Sequence, residues 1–211
     1  WAFAGALIAL ALVVYPILSH VEQRMMLFGA LTGGWLLMFC WLFQPGFGRG
    51  LRGLKLTALT LVLIGAWSAV VLLQTSSPWL VLLVVAVIAA ADIGAYFTGH
   101  ALGRAKLAPS ISPGKTWAGA VGGLAAATFL STAFALTVPQ APFSAMIAAA
   151  IGLVLAAASI GGDLLISLLK RQQGLKDSSS LLPGHGGLLD RFDSLVAALP
   201  FFALAWLVSA Q

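Results

Sequence analysis

The sequence predicts an all-α fold, a polytopic bundle of about seven transmembrane helices forming one integral membrane domain over residues 1–211. Three observations carry this expectation. Hydrophobic residues make up 61% of the chain and charged residues 8%, against about 45–50% and 25% in soluble domains. The mean hydropathy is +1.03. Apolar residues run unbroken for about 20 positions at a time, the length that crosses a bilayer as helix, not in the ~10-residue alternating segments of a β-barrel. Backbone exposed to lipid must satisfy its own hydrogen bonds, which favours helices. A soluble enzyme, a disordered chain and a disulfide scaffold are excluded together. The single Cys40 lies within an apolar run and can form no intrachain disulfide.

The first run, 1–18, begins at Trp1 rather than Met, so the chain reads as processed, truncated or incomplete at its N-terminus, and this run need not be the native first helix. No basic segment precedes this run and no convincing cleavage site follows, as a signal peptide would require. The second run, 25–43, stops at Gln44-Pro45-Gly46, and the third, 54–73, stops before Ser77-Pro78. The fourth, 79–97, leads into a long link, 98–115, that contains Ser112-Pro113-Gly114. The fifth, 116–138, is closed by Pro139 and Pro142. The sixth, 143–169, is longer than a bilayer requires, so its charged end should project beyond the hydrocarbon. A second long link, 170–187, carries Pro183-Gly184 and precedes the seventh run, 188–208. Gly29/Gly33 and Gly119/Gly123 have the spacing of helix-packing faces. Trp79 and Trp117 suit interfacial anchors.

If the runs alternate across the membrane, the links 44–53, 98–115 and 170–187 share one side. Ten of the eleven Lys and Arg residues fall there and only Arg24 on the other, so that side is expected to be cytoplasmic. Five of the six acids, Asp92, Asp163, Asp177, Asp190 and Asp193, lie on the same side. Asp92 and Asp163 fall about four to seven residues inside predicted helix ends, some 6–10 Å deep at 1.5 Å per residue. An aspartate within a span costs about 2.5–3.5 kcal/mol to insert, which marks it as a functional candidate.

Spacing groups these acids. Asp190 and Asp193 stand at i, i+3 and share a helix face, and Asp163, Ser167 and Lys170 at i, i+4, i+7 share another. Gathered carboxylates repel unless a cation lies between them. Oxygen ligands without a Cys or His cluster favour Mg²⁺, with a second cation also allowed. Surrounding bases suit phosphate, and metal with phosphate points to phosphoryl or nucleotidyl transfer. Two phosphate-loop look-alikes are discounted. Gly114-Lys115-Thr116 has Pro109 where the motif needs glycine and no predicted strand before it. Gly48-Arg49-Gly50-Leu51-Arg52-Gly53 matches G-x-G-x-x-G in a short link without βαβ context.

Residues 167–193 read S-L-L-K-R-Q-Q-G-L-K-D-S-S-S-L-L-P-G-H-G-G-L-L-D-R-F-D. This resembles the signature of the phosphatidate cytidylyltransferase (CDP-diacylglycerol synthase) family, S-x-φ-K-R, K-D, then φ-P-x-H-G-G-φ-x-D-R-φ-D with φ apolar. Asp92-Ile93-Gly94-Ala95-Tyr96, the segment through Gly99 and Gly103 to Trp117, and Gly162-Asp163-Leu164 extend the similarity over about residues 90–193. Residues 1–89 read as generic membrane spans. The sequence departs from the pattern at Gly114, where the family often has Lys, and at Ala118 and Ile166, where it often has Glu. Those departures bear on an extra phosphate contact and an auxiliary carboxylate, not on the central aspartates.

The resemblance implies an enzyme of phospholipid biosynthesis that joins CTP and phosphatidate into CDP-diacylglycerol and pyrophosphate. It implies a homodimer in the bacterial inner membrane with its site facing the cytoplasm, and no nucleic-acid partner. Asp163, Asp190 and Asp193 would hold the cation, with Lys170 and Arg171 completing the catalytic group. Ser112, Lys115, Thr116, Lys176, Asp177, His185, Gly186, Gly187, Arg191 and Asp92 would contact substrate or support those that do. The glycine-rich stretch 183–187 allows backbone close to phosphate. His185 could instead shape that turn, and His20 and His100 read as structural or interfacial. Three rivals remain: a CDP-alcohol phosphotransferase, whose D-G-x-x-A-R hallmark is absent; a small ion-coupled transporter using the buried aspartates; and a scaffold whose basic loops grip anionic lipid.

Overall fold

The computed structural model describes residues 2–139, 141–175, 177–179 and 187–209. Among these the chain forms seven α-helices and one two-stranded sheet. Six helices are long and apolar enough to cross a membrane: α2 (Val21–Cys40, extended by a 3-10 turn to Phe43), α3 (Arg52–Ser76), α4 (Pro78–Leu102), α5 (Trp117–Thr137), α6 (Ala145–Gln172) and α7 (Leu189–Ser209). The chain is an integral membrane protein.

The first run departs from expectation. Helix α1 covers only Ala2–Val14 and passes into a 3-10 turn, Tyr15–Ser19, with Pro16 at its start. Proline has no N–H to donate and crowds the preceding turn, so the α-helix ends there. The whole apolar helical stretch, Phe3–Ser19, is shorter than the six spans.

Turn chemistry sets most of the other boundaries. Pro78 occupies the first turn of α4, where its missing N–H costs nothing. Ser144 caps α6 by accepting the Ile147 N–H at 3.4 Å. Pro200 sits inside α7 without ending it, its ring facing Gly65 of α3. Helices α4 and α6 run beyond their predicted ends, to Leu102 and Gln172. Asp92 and Asp163 therefore lie ten and nine residues from those ends, about 15 Å along the axis, deeper than the sequence indicated.

The link 98–115 also holds more order than expected. Strands β1 (Lys106–Ala108) and β2 (Ser112–Thr116) form an antiparallel hairpin around Pro109-Ser110, with Lys106 opposite Thr116 and Ala108 opposite Ser112. A strand thus does run through Gly114-Lys115-Thr116 into a helix, contrary to the expectation, although a hairpin is not a βαβ unit. Ile111 at the hairpin tip is buried among Trp41, Leu164 and Leu168, which pins the link to the bundle.

Helix α4 packs most extensively on α5, and α6 is flanked by α5 and α7. Small residues make this possible. A Cβ at Gly119 or Gly123 of α5 would stand 2.9 Å from the carbonyl oxygen of Ala95 or Ala91 on α4, so the expected packing face is real. Gly29 and Gly33 of α2 have no neighbour at that range within the described chain. The core divides in two. One cluster, around Phe28, Leu72, Val84 and Phe202, fills the half of the bundle away from the basic links. The other, around Trp35, Val62, Ile111 and Leu165, lies beneath them.

Candidate active site

Helices α4, α5 and α6 and the hairpin enclose a cavity of about 480 Å³, within the range of small-molecule sites. Asp92 enters it from α4, Asp163 from α6, and Lys115 and Thr116 from the end of β2. Lys115 Nζ pairs with Asp163 Oδ2 at 2.5 Å, both side chains remaining a quarter or more exposed (25% and 29%). Ser167, one turn along α6, donates its hydroxyl to Asp163 Oδ1 at 3.2 Å, as the i, i+4 spacing predicted. The buried Thr116 caps α5, its Oγ1 accepting the Gly119 N–H at 3.1 Å. The anion-suited end of α5 therefore opens into the same space as the carboxylates.

Asp193 approaches from α7. It is buried, and its Oδ1 accepts the Ser194 N–H at 2.8 Å. Its charge interacts with Asp163, Lys115 and Lys170, while that of Asp92 interacts with Lys115 and Asp163. Asp92 and Asp163 line the same cavity, and the backbone of Asp193 packs against Gly162, the residue before Asp163. The close approach of α7 depends on Gly162: a Cβ there would lie 2.3 Å from Ala197 Cβ and 3.0 Å from the Asp193 carbonyl oxygen.

Asp190 is engaged differently. Its Oδ1 accepts from Lys170 Nζ at 2.7 Å, with the Lys170 and Asp190 side chains 16% and 10% exposed. Its Oδ2 accepts from Ser178 N–H (2.8 Å), Ser178 Oγ (3.0 Å) and Gly187 N–H (2.8 Å). One carboxylate so ties the end of α6, the segment after it and the start of α7 together.

The other residues expected at the site surround these two groups. Ser112 stands at the far end of β2 from Thr116, outside the cavity lining. Arg171 is exposed and donates to the Leu175 carbonyl at 3.4 Å, closing the end of α6. Asp177 is exposed beside Ser178, Gly187 is buried against Asp190, and Arg191 is exposed on the first turn of α7. Lys176, His185 and Gly186 lie outside the described residues. The sequence did not mark Lys106 or Tyr96 as lining the cavity, and it read His100 as structural or interfacial. His100 lines the cavity and stacks on Tyr96 with ring centroids 6.2 Å apart; their i, i+4 spacing was the available signal.

Among the described residues no three His, Cys, Asp or Glu side chains gather into a metal-holding cluster. The expected trio of Asp163, Asp190 and Asp193 is divided because four protein donors already engage Asp190. Mg²⁺ commonly takes only one or two carboxylates, with substrate phosphates and water completing its shell. Asp163 with Asp193, and Asp92 beside them, offer oxygen donors of that kind. Lys170 is matched by Asp190, so the three acids face Lys115 as their one unshared lysine partner among these charges.

The fold and this cavity define a polytopic membrane protein with a charged, phosphate-suited site built into one end of its bundle. The chain belongs to the cytidylyltransferase family, whose sequence profile matches residues 1–208. It is similar to the phosphatidate cytidylyltransferase of Pseudomonas aeruginosa, 46% identical over 149 residues covering 69% of this chain and 55% of that protein. It is also similar to the proteins of that name from Haemophilus influenzae (48% over 130 residues; 59% and 44% covered) and Bacillus subtilis (49% over 115 residues; 54% and 42% covered). The chain spans about half the length of these curated relatives.

Proposed function

We propose that the protein, as a whole, is a CTP:phosphatidate cytidylyltransferase that forms CDP-diacylglycerol and pyrophosphate. The observation that carries this reading is the Lys115–Asp163 pair, set in an open cavity inside a bundle of this family. A phosphomonoester lipid is ionised at neutral pH, so its oxygen can attack the α-phosphorus of CTP without a strong general base. The new P–O bond forms as the bond to the β-phosphate breaks, and pyrophosphate leaves with that electron pair. Lys115 and the capped end of α5 would hold nucleotide phosphates and stabilise the charge that builds on them. Asp163 keeps the Lys115 ammonium in place, and Ser167 fixes the Asp163 carboxylate. Asp163 and Asp193 would hold Mg²⁺, which supplies Lewis-acid charge stabilisation when bound. Asp190 joins Lys170 at the end of α6 to Ser178 and Gly187.

The chemistry-bearing part is taken as residues 90–193 of the single domain. The site is taken to face the cytoplasm of a bacterial inner membrane, which the bias of ten basic residues against one supports. A homodimer fits the resemblance, and Gly29 and Gly33 leave an unfilled face on α2. The named relatives are cytidylyltransferases, so the transporter alternative has no support from them.

The full-length protein, purified in detergent and given radiolabelled CTP, phosphatidate and Mg²⁺, should yield a labelled CDP-lipid and one pyrophosphate per turnover. Failure to form that lipid with folded protein would remove the proposal.

A further inference from the structure

A second cavity, of about 430 Å³, lies between the start of α3, the end of α6 and the start of α7. Its lining is divided by chemistry. Arg52, Lys55 and Lys170 supply cationic heads, and Leu56, Leu59 and Leu169 supply an apolar wall. Lys55 is only 7% exposed, and its Nζ donates to the Arg49 carbonyl at 3.0 Å. The two ion pairs between described residues are Lys115–Asp163 and Lys170–Asp190, so the buried Lys55 ammonium faces no carboxylate among them. A buried ammonium with a neutral partner is costly unless an anion completes it.

Helix position raises the same demand independently. The first turn of α3 holds Arg52 and Lys55 and no acid, although the dipole favours negative charge at that end. Leu54 and Leu56, flanking Lys55, are 37% and 48% exposed on the outside of the bundle, where lipid would meet them. The wall and the charges therefore suit a ligand with an anionic head and apolar chains.

Building on the cytidylyltransferase reading, we propose that Arg52 and Lys55 seat the phosphate of a phosphomonoester lipid, its chains lying along Leu56, Leu59 and Leu169. The lipid phosphate and the nucleotide would then enter from separate cavities. This recruits α3, outside the signature region, into substrate binding.

The test uses the full-length protein and three variants: Lys55→Met, which keeps the stem volume, Arg52→Gln, and Lys55→Arg. Retention of phosphatidate from mixed micelles is measured by native mass spectrometry. Phosphatidylcholine serves as the zwitterionic control and inorganic phosphate as competitor. Losing a hydrogen bond to a charged group should weaken phosphatidate binding about tenfold in Lys55→Met. Arg52→Gln should weaken it less, and Lys55→Arg should restore it. In steady state the KM for phosphatidate should rise while the KM for CTP stays fixed. Unchanged lipid retention in folded Lys55→Met and Arg52→Gln would overturn the proposal, as would a rise in the KM for CTP instead. Competition by inorganic phosphate on equal terms with phosphatidate would also overturn it, by marking a free-anion seat. If Lys55-dependent retention holds but no CDP-lipid forms, the lipid seat stands and the proposed reaction fails.

Discussion

Among the described residues there are two lysine–aspartate pairs of nearly equal length, and they do different work. Lys115–Asp163 measures 2.5 Å and Lys170–Asp190 measures 2.7 Å. Their surroundings differ. Asp163 has one further donor, Ser167, and faces an open cavity. Asp190 accepts from Ser178 and Gly187 as well as Lys170, and its pair is less exposed. An ion pair with spare acceptor capacity beside empty volume can exchange partners with a substrate. One whose oxygens are all engaged by its own chain holds that chain in place. Pair distance alone would not have separated them.

The largest expected effect tests this difference directly. Asp163→Asn removes a charge at the hub of the cavity and should lower kcat by about 10³-fold, roughly 4 kcal/mol of transition-state stabilisation. Its thermal midpoint should stay near that of the parent, because the remaining Lys115 can reach cavity water. Asp190→Asn leaves Lys170 without its carboxylate in a mostly buried place. It should cost about 3 kcal/mol of stability, read as a lower unfolding midpoint in detergent. If Asp163→Asn unfolds as readily as Asp190→Asn, the contrast between the pairs is wrong.

A smaller change probes how the two regions are joined. Gly162→Ala inserts a methyl 2.3 Å from Ala197 Cβ, an atom fixed to the backbone that cannot swing aside. Helix α7 must shift, carrying Asp193 away from Asp163, at a cost of about 1–3 kcal/mol. Activity should fall more than stability does, measured as kcat against unfolding midpoint. Equal activity at reduced stability would show that the Asp193–Asp163 approach is not needed.

Much of this arrangement was legible in the sequence because membrane spans and charge placement follow from composition. Five aspartates and ten bases assigned to one side already pointed to the end of the bundle that holds the cavity. Ser167 beside Asp163 followed from helical periodicity. What escaped was long-range: nothing in the spacing of Lys115 and Asp163, 48 positions apart in number, says that a hairpin will bring them together. The hairpin itself was hidden because Pro109-Ser110 reads equally as loop, while its anchor, Ile111, resembles any apolar residue. Asp190 was grouped with Asp193 by i, i+3 spacing, yet its partners come from Ser178 and Gly187 in a segment without periodicity. Lys55 escaped for the opposite reason: it belongs to a regular helix start and no motif.

The smallest expected effect concerns Thr116, where the two roles meet in one hydroxyl. Its oxygen accepts the Gly119 N–H and caps α5, while its own proton remains to be donated toward the cavity it lines. Thr116→Ala should cost about 1 kcal/mol through the lost cap, seen as a small drop in unfolding midpoint. Thr116→Ser keeps both the acceptor and the proton and should restore stability. The KM for CTP separates cap from contact: it should rise severalfold in the Ala variant and return in the Ser variant. A stability loss with no change in that KM would place Thr116 with Asp190, as a residue that shapes the site without touching what binds there.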